Sequence, residues 1–119
     1  MITGFDHVQL AMPPGGEQAA RAFYADILGL AEVPKPEPLA ARGGCWFEAG
    51  AVKLHLGVEQ AFRPARKAHP AFAVRNLAAF IAHLRAAGLE VREDHELHGV
   101  ARANIDDPFG NRIELVGVA

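Results

Sequence analysis

Four polar residues recur at matched places along this chain, and all four are of types that bind metal ions. His7 lies in the apolar stretch GFDHVQLAM and His69 in KAHPAFAV, while His55 interrupts AVKLHLGV and Glu114 interrupts GNRIELVGV. The spacing repeats as well. Gly29 precedes His55 by 26 residues, and Gly88 precedes Glu114 by 26. His7 lies 22 residues before Gly29 and His69 lies 19 before Gly88, a difference that a three-residue insertion in Pro13-Pro14-Gly15-Gly16 accounts for. Neutral imidazole and carboxylate are ligands for divalent Fe, Mn, Ni, Zn or Co, and a mixed N/O set with open positions supports Lewis-acid or redox chemistry. A single histidine on a strand is usually an incidental surface or half-buried residue. Four such positions in a repeated unit instead offer converging ligands for one divalent transition metal per site.

The elements that must position these residues are legible in outline. Phe5 to Ala11 alternates as a strand, with Val8 and Leu10 on one face and His7 and Gln9 on the other. A breaker cluster follows, and from Glu17 the spacing of Ala20, Phe23, Tyr24, Ile27 and Leu28 is helical, with Gly29 as its C-cap. Pro34, Pro36 and Pro38 predict a stiff, extended connector. Strands are expected over Gly44 to Glu48 and Val52 to Gly57, joined at Ala49-Gly50. Val58 to Lys67 reads as a linker, after which the order repeats. A strand is expected near Ala71 to Val74, a helix over Leu77 to Ala87 capped by Gly88, and strands near Leu89 to Arg92, Val100 to Asp106 and Arg112 to Val118. Asp107-Pro108-Phe109-Gly110-Asn111 is the turn between the last two.

Each half is therefore β-α-β-β-β, and the fold class is α+β: two tandem modules, 1–59 and 68–119, joined by linker 60–67 in one domain. Period-2 alternation sends Val52, Leu54 and Leu56 toward a helix and His55 and Lys53 the other way; it does the same for Ile113 and Leu115 against Arg112 and Glu114. All four candidate ligands thus fall on the face away from the helices. If the sheets curve, that face is the inside of a cup with the helices outside.

Other residues are weaker candidates. Gln9, Lys53 and Arg112 share the predicted cup face and could bind substrate or orient a carboxylate. Arg63, with Arg66 and Lys67, could receive an anionic group, although linker cations more often solvate a loop. Trp46, Phe47 and Phe5 could line a pocket for a flat substrate, and His98 lies in a loop of the kind that overhangs a site. His83 falls on the second helix, and Tyr24 suits helix packing. Cys45 has no visible activating neighbour and reads as a small buried hydrophobe.

Composition narrows the class. The 119 residues carry a formal net charge of -2, with 50% hydrophobic and 22% charged residues, ordinary for a soluble globular domain. There is no basic block of the nucleic-acid-binding kind and no apolar run of membrane-spanning length, so neither partner is expected. One cysteine excludes an internal disulfide, and the N-terminus has no secretory pattern, so a cytoplasmic location is expected.

FDHVQLAM, ARAFYADILGL, KAHPAFAV and above all DDPFGNRIELVG carry a resemblance to the vicinal oxygen chelate superfamily, over nearly the whole chain. That superfamily includes glyoxalase I, bleomycin-resistance proteins, fosfomycin-modifying transferases, methylmalonyl-CoA epimerase and extradiol dioxygenases. The resemblance implies a cup holding a divalent metal with ligands at His7, His69 and Glu114, and it implies homodimerisation. His55 stands where the family often has Glu or Gln and where glyoxalase I has its carboxylate base, so glyoxalase I activity does not carry over. Three functions follow. The leading one is a small metal-dependent enzyme that acts on a small molecule chelated through adjacent oxygens, with Glu114 and His55 in catalysis, by isomerisation, epimerisation, thiol addition or ring-cleaving oxygenation. The alternatives are a bleomycin-resistance-like protein that sequesters a small molecule without catalysis, and an accessory module that regulates by binding one.

Overall fold

A computed structural model describes residues 1–96 and 98–119 of the chain. The chain forms two compact units, Met1–Pro64 and Ala65–Ala119. Each contains one four-stranded mixed sheet, and the two sheets have the same topology.

The first unit opens with β1 (Val8–Met12) and a helix, α1 (Glu17–Ala20), that continues as a π-helix over Arg21–Ile27. β2 (Ala31–Val33), a 3₁₀ turn (Leu39–Arg42), β3 (Cys45–Ala49) and β4 (Val52–Val58) follow. The strand order is β1-β4-β3-β2, parallel between β1 and β4 and antiparallel elsewhere. The second unit contains β5 (Ala71–Arg75), α2 (Leu77–Ala86), β6 (Arg92–Asp94), β7 (Arg102–Asp106) and β8 (Arg112–Val118). Its order is β5-β8-β7-β6, again with a parallel first pair. No helix among the described residues is long and apolar enough to cross a membrane.

The repeat extends to the register. Gln9 lies opposite His55 in the β1–β4 ladder, and Ala71 lies opposite Glu114 in the β5–β8 ladder. His7 and His69 each stand two residues before those partners. Both helices end alike: Gly29 and Gly88 take φ of 82° and 90°, and the next residue's N–H bonds back to a carbonyl of the last turn, Leu30 to Tyr24 and Leu89 to Leu84, each at 3.0 Å. A positive φ at both points is a glycine's position.

Several boundaries differ from the sequence expectation. The first strand begins at Val8; Phe5 is 97% exposed, and Gly4 and Asp6 beside it are poor strand formers. The α-helical spacing from Glu17 gives way to a π-helix, which places the sequence neighbours Phe23 and Tyr24 both in the core, ring edge to ring face at 4.8 Å. The proline-rich connector holds one 3₁₀ turn and is preceded by the short β2, paired to β3. In the second unit the strand expected near Leu89 to Arg92 runs instead over Arg92–Asp94, leaving Val91 buried before it.

The alternation that separated core from site faces is visible in the burial. Leu54 and Leu56 of β4, and Ile113 and Leu115 of β8, are buried at 1% exposure or less. At about 1.5–3 kcal/mol per buried aliphatic side chain, these residues decide which face of each strand is turned inward. Slipping either strand by one residue would place His55 or Glu114 in the core.

Candidate functional site

The second unit brings His69 and Glu114 together. His69 Nε2 lies 2.8 Å from Glu114 Oε1, and its Nδ1 lies 2.8 Å from the Lys67 carbonyl. Both ring nitrogens therefore face acceptors. The Lys67 carbonyl fixes the ring's orientation and turns Nε2 toward Glu114. The other carboxylate oxygen, Oε2, accepts from Arg102 Nε at 2.9 Å, and Arg102 in turn reaches Asp94 at 3.3 Å. The hydrogen bonds from His69 and then Arg102 hold Glu114 below the usual carboxylate range. Glu114 is thus a fixed anion with one oxygen steadied by Arg102 and the other turned to a histidine.

A turn sets the register of β8. Asp107 Oδ1 accepts from the backbone N–H of Phe109 and of Asn111, both at 2.9 Å, while Oδ2 accepts from Asn111 Nδ2 at 2.9 Å. Asn111 Oδ1 accepts from Ala65 N–H at 2.9 Å, and Arg112 N–H donates to Ala65 O at 2.8 Å. Gly110 supplies the positive φ, 92°, that closes the loop. Asp107 and Asn111 are buried, so the most family-like stretch of the sequence is a structural clamp three residues before Glu114.

The first unit arranges its pair differently. His7 stacks on His55 with ring centroids 4.2 Å apart and planes 20° apart, and Trp46 stacks on the other face of this group at 4.0 Å and 5° from His55. Trp46 is also the cross-strand partner of His55. His55 is 8% exposed, and burial, then the neighbouring His7, lowers its pKa, which favours a neutral ring. His7 Nδ1 lies 2.9 Å from Asp6 Oδ1, a carboxylate contact that orients the ring and leaves Nε2 for a ligand. A ring nitrogen's lone pair lies in the ring plane. A near-parallel stack of imidazoles directs the lone pairs of its two rings along separate lines.

No group of three or more His, Cys, Asp or Glu side chains is gathered as a metal set among the described residues. The donors stand instead as two pairs, one per unit. Their chemistry fits a divalent ion: oriented imidazoles at His7 and His69, and an ionised carboxylate at Glu114.

The remaining candidates are dispersed. Gln9 is exposed on β1, and its carboxamide occupies the space beside Gly57, where a β-carbon would fall 2.5 Å from Gln9 Nε2. Lys53 is exposed opposite Glu48. Arg63 is exposed, with its backbone N–H on Glu59. Arg112 donates from Nε to Asn104 Oδ1 at 2.9 Å. Arg66 is tied to Asp106 and the Gly110 carbonyl. Phe47 is core, whereas His98 is exposed. Burial pushes the Cys45 thiol up to about 11, which suits an inert core residue.

Sequence reasoning missed Arg102. Its signal was available: Arg102 stands two residues before Asn104, the cross-strand partner of Glu114, and so shares its face diagonally. Lys35 and Arg42 were also missed. With Gln9, Leu39, Gly43, Trp46, Leu56, Gly57 and Val58, they line a cavity of about 260 Å³ within the first unit.

Comparison with known proteins gives the same architecture. The family described as Glyoxalase/Bleomycin resistance protein/Dioxygenase superfamily matches residues 4–115. The crystal structure of a putative glyoxalase family protein from Bacillus anthracis is 50% identical over 100% of this chain and 98% of that one, with a TM-score of 0.97. Lactoylglutathione lyase from Agrobacterium tumefaciens shares the fold at 22% identity and a TM-score of 0.71, covering 92% of this chain and 90% of that one. The fosfomycin resistance protein FosX from Listeria monocytogenes shares it at 17% identity and 0.79, covering 100% and 96%. No curated protein sequence matches the chain.

Proposed function

From the premise that this chain belongs to the Glyoxalase/Bleomycin resistance protein/Dioxygenase superfamily, we propose that it is a divalent-metal-dependent enzyme acting on a small molecule through adjacent oxygens. The observation that carries this reading is the His69–Glu114 pair. Its imidazole is fixed at Nδ1 by a carbonyl, its carboxylate is fixed at Oε2 by Arg102, and the facing Nε2 and Oε1 are where a cation replaces a proton. Catalytic ions of this type usually take about three protein ligands and keep a position open. His69 and Glu114 supply two, and His7, oriented by Asp6, is the donor of the first unit.

A divalent ion so held supplies Lewis acidity toward a substrate's paired oxygens. The chain's own groups do the rest. Glu114, already paired to Arg102, stays ionised through neutral pH and keeps its place as charge develops nearby. His55, neutral and covered on both faces by His7 and Trp46, is a base whose lone pair is available at neutral pH. This separates its role from that of a carboxylate at the same place, because it takes up a proton by becoming positive.

The test compares chelator-treated protein with protein reloaded with Fe(II), Mn(II), Ni(II), Zn(II) or Co(II). The substrate panel contains hemithioacetals, 2-methylmalonyl thioesters, epoxides with added thiol, and catechols. Turnover of one class, restored by metal and abolished in Glu114→Ala, supports the reading; a metal-independent rate unchanged in that variant contradicts it. A second reading, capture of a small molecule without catalysis, is favoured by the cavity beside Trp46. It predicts tight binding and no turnover under every metal condition.

A further inference from the structure

The cavity of the first unit has a composition that the metal chemistry does not explain. Its wall carries two cations, Lys35 and Arg42, the carboxamide of Gln9, and an aromatic face from Trp46, with Leu39, Leu56 and Val58 completing it. Lys35 is half-buried, and its ammonium donates to the Gly43 carbonyl, a neutral partner that leaves its charge uncompensated. Arg42, at the end of the 3₁₀ turn, belongs to no ion pair among the described residues. The carboxylate that approaches this wall is Glu17, whose Oε2 accepts from the Gly44 N–H at 3.2 Å and would lie 3.6 Å from a β-carbon at Gly43. The lining itself carries these two cations and no carboxylate. A concave, part-apolar site with two convergent cations and two hydrogen-bonding groups is built for an anion with a flat or apolar body.

We infer that this cavity is a recognition site for a small oxyanion-bearing molecule, its carboxylate or phosphate held by Lys35 and Arg42 and its body laid against Trp46. The volume, about 260 Å³, lies just below the usual range of ligand pockets and suits a molecule smaller than a drug. Position ties the cavity to the chemistry. Gln9 and Trp46 are the two cross-strand partners of His55, one on each neighbouring strand, so a molecule seated here lies along the strands that carry that histidine. Gly57, two residues beyond His55, has no side chain, and Gln9 fills the space it leaves. That the bound acid is the molecule transformed rests on the function proposed above; the binding itself does not.

Trp46 is the only tryptophan of the chain, so its fluorescence reports on this cavity directly. The full-length protein is titrated with benzoate, phenyl phosphate, inorganic phosphate and, as a neutral isostere, benzamide. The same titrations are run on Lys35→Met, Arg42→Met and Arg42→Lys, every protein being chelator-treated beforehand. The structure predicts saturable quenching by at least one anion, weakened by salt, with benzamide at least about tenfold weaker. Each methionine variant loses about tenfold in affinity and Arg42→Lys recovers part of it. Benzoate and phenyl phosphate without inorganic phosphate identifies an acid with an aromatic body; inorganic phosphate alone identifies a phosphoryl group as the recognised part. Three results overturn the inference: no saturation by any anion, benzamide binding as well as benzoate, or unchanged affinity in both methionine variants. Because the protein is metal-free throughout, failure here and failure of the metal reading are separable.

Discussion

At the residue scale, the two pairs differ in what holds them. His69 and Glu114 are joined by charge-assisted hydrogen bonding, and Glu114 is pulled below its ordinary pKa by His69 first and Arg102 second. A carboxylate whose folded pKa is depressed stabilises the fold above its unfolded pKa and loses that contribution as pH falls through the folded value. In metal-free protein, the thermal midpoint of wild type therefore exceeds that of Glu114→Gln at neutral pH, and the gap closes on acidification below about pH 4.5. A pH-independent gap would contradict the pairing. His55 is governed by burial and stacking, which no sequence pattern specified. Its place on the strand was legible from period-2 alternation, but the sandwich between His7 and Trp46 depends on the cross-strand register. That stack is what the sequence, which left His55 as either a ligand or a base, did not show.

At the element scale, the repeat fixed much of what could be read in advance. Two β-α-β-β-β modules with helices ending in glycine were legible from the spacing of Gly29 and Gly88 to His55 and Glu114, whereas the parallel pairing of β1 with β4 and of β5 with β8 came only with the structure. What escaped the sequence is equally physical. The π-helix at Arg21–Ile27 keeps apolar spacing close to that of an α-helix, and β2 is three residues long beside a run of prolines, too short for its pattern to register. The turn before β8 makes a sharper prediction. Asn111 is fully buried, donates to Asp107 and accepts from Ala65, so Asn111→Ala leaves buried polar partners unpaired. It is expected to cost about 2 kcal/mol in chemical denaturation and to weaken metal uptake through the misplaced β8. A loss under about 0.5 kcal/mol, the scale of an ordinary surface change, would show that the clamp does not hold the strand.

At the scale of the whole molecule, one topology occurs twice with different side chains at the matched positions. The first carries an aromatic-stacked histidine beside a cationic cavity, and the second a carboxylate–histidine pair braced by arginine. The central proposal is that His69 and Glu114 hold a divalent ion, with His7 as a further donor and His55 as the base. It is tested most directly by calorimetric titration of Zn(II) and Mn(II) into metal-free protein, for wild type and for His7→Ala, His69→Ala and His55→Phe. The account predicts one ion per chain in wild type, a loss of at least about tenfold in affinity in the two alanine variants, and near-unchanged binding in His55→Phe. Wild type that takes up no ion, or alanine variants that bind as tightly as wild type, would contradict it.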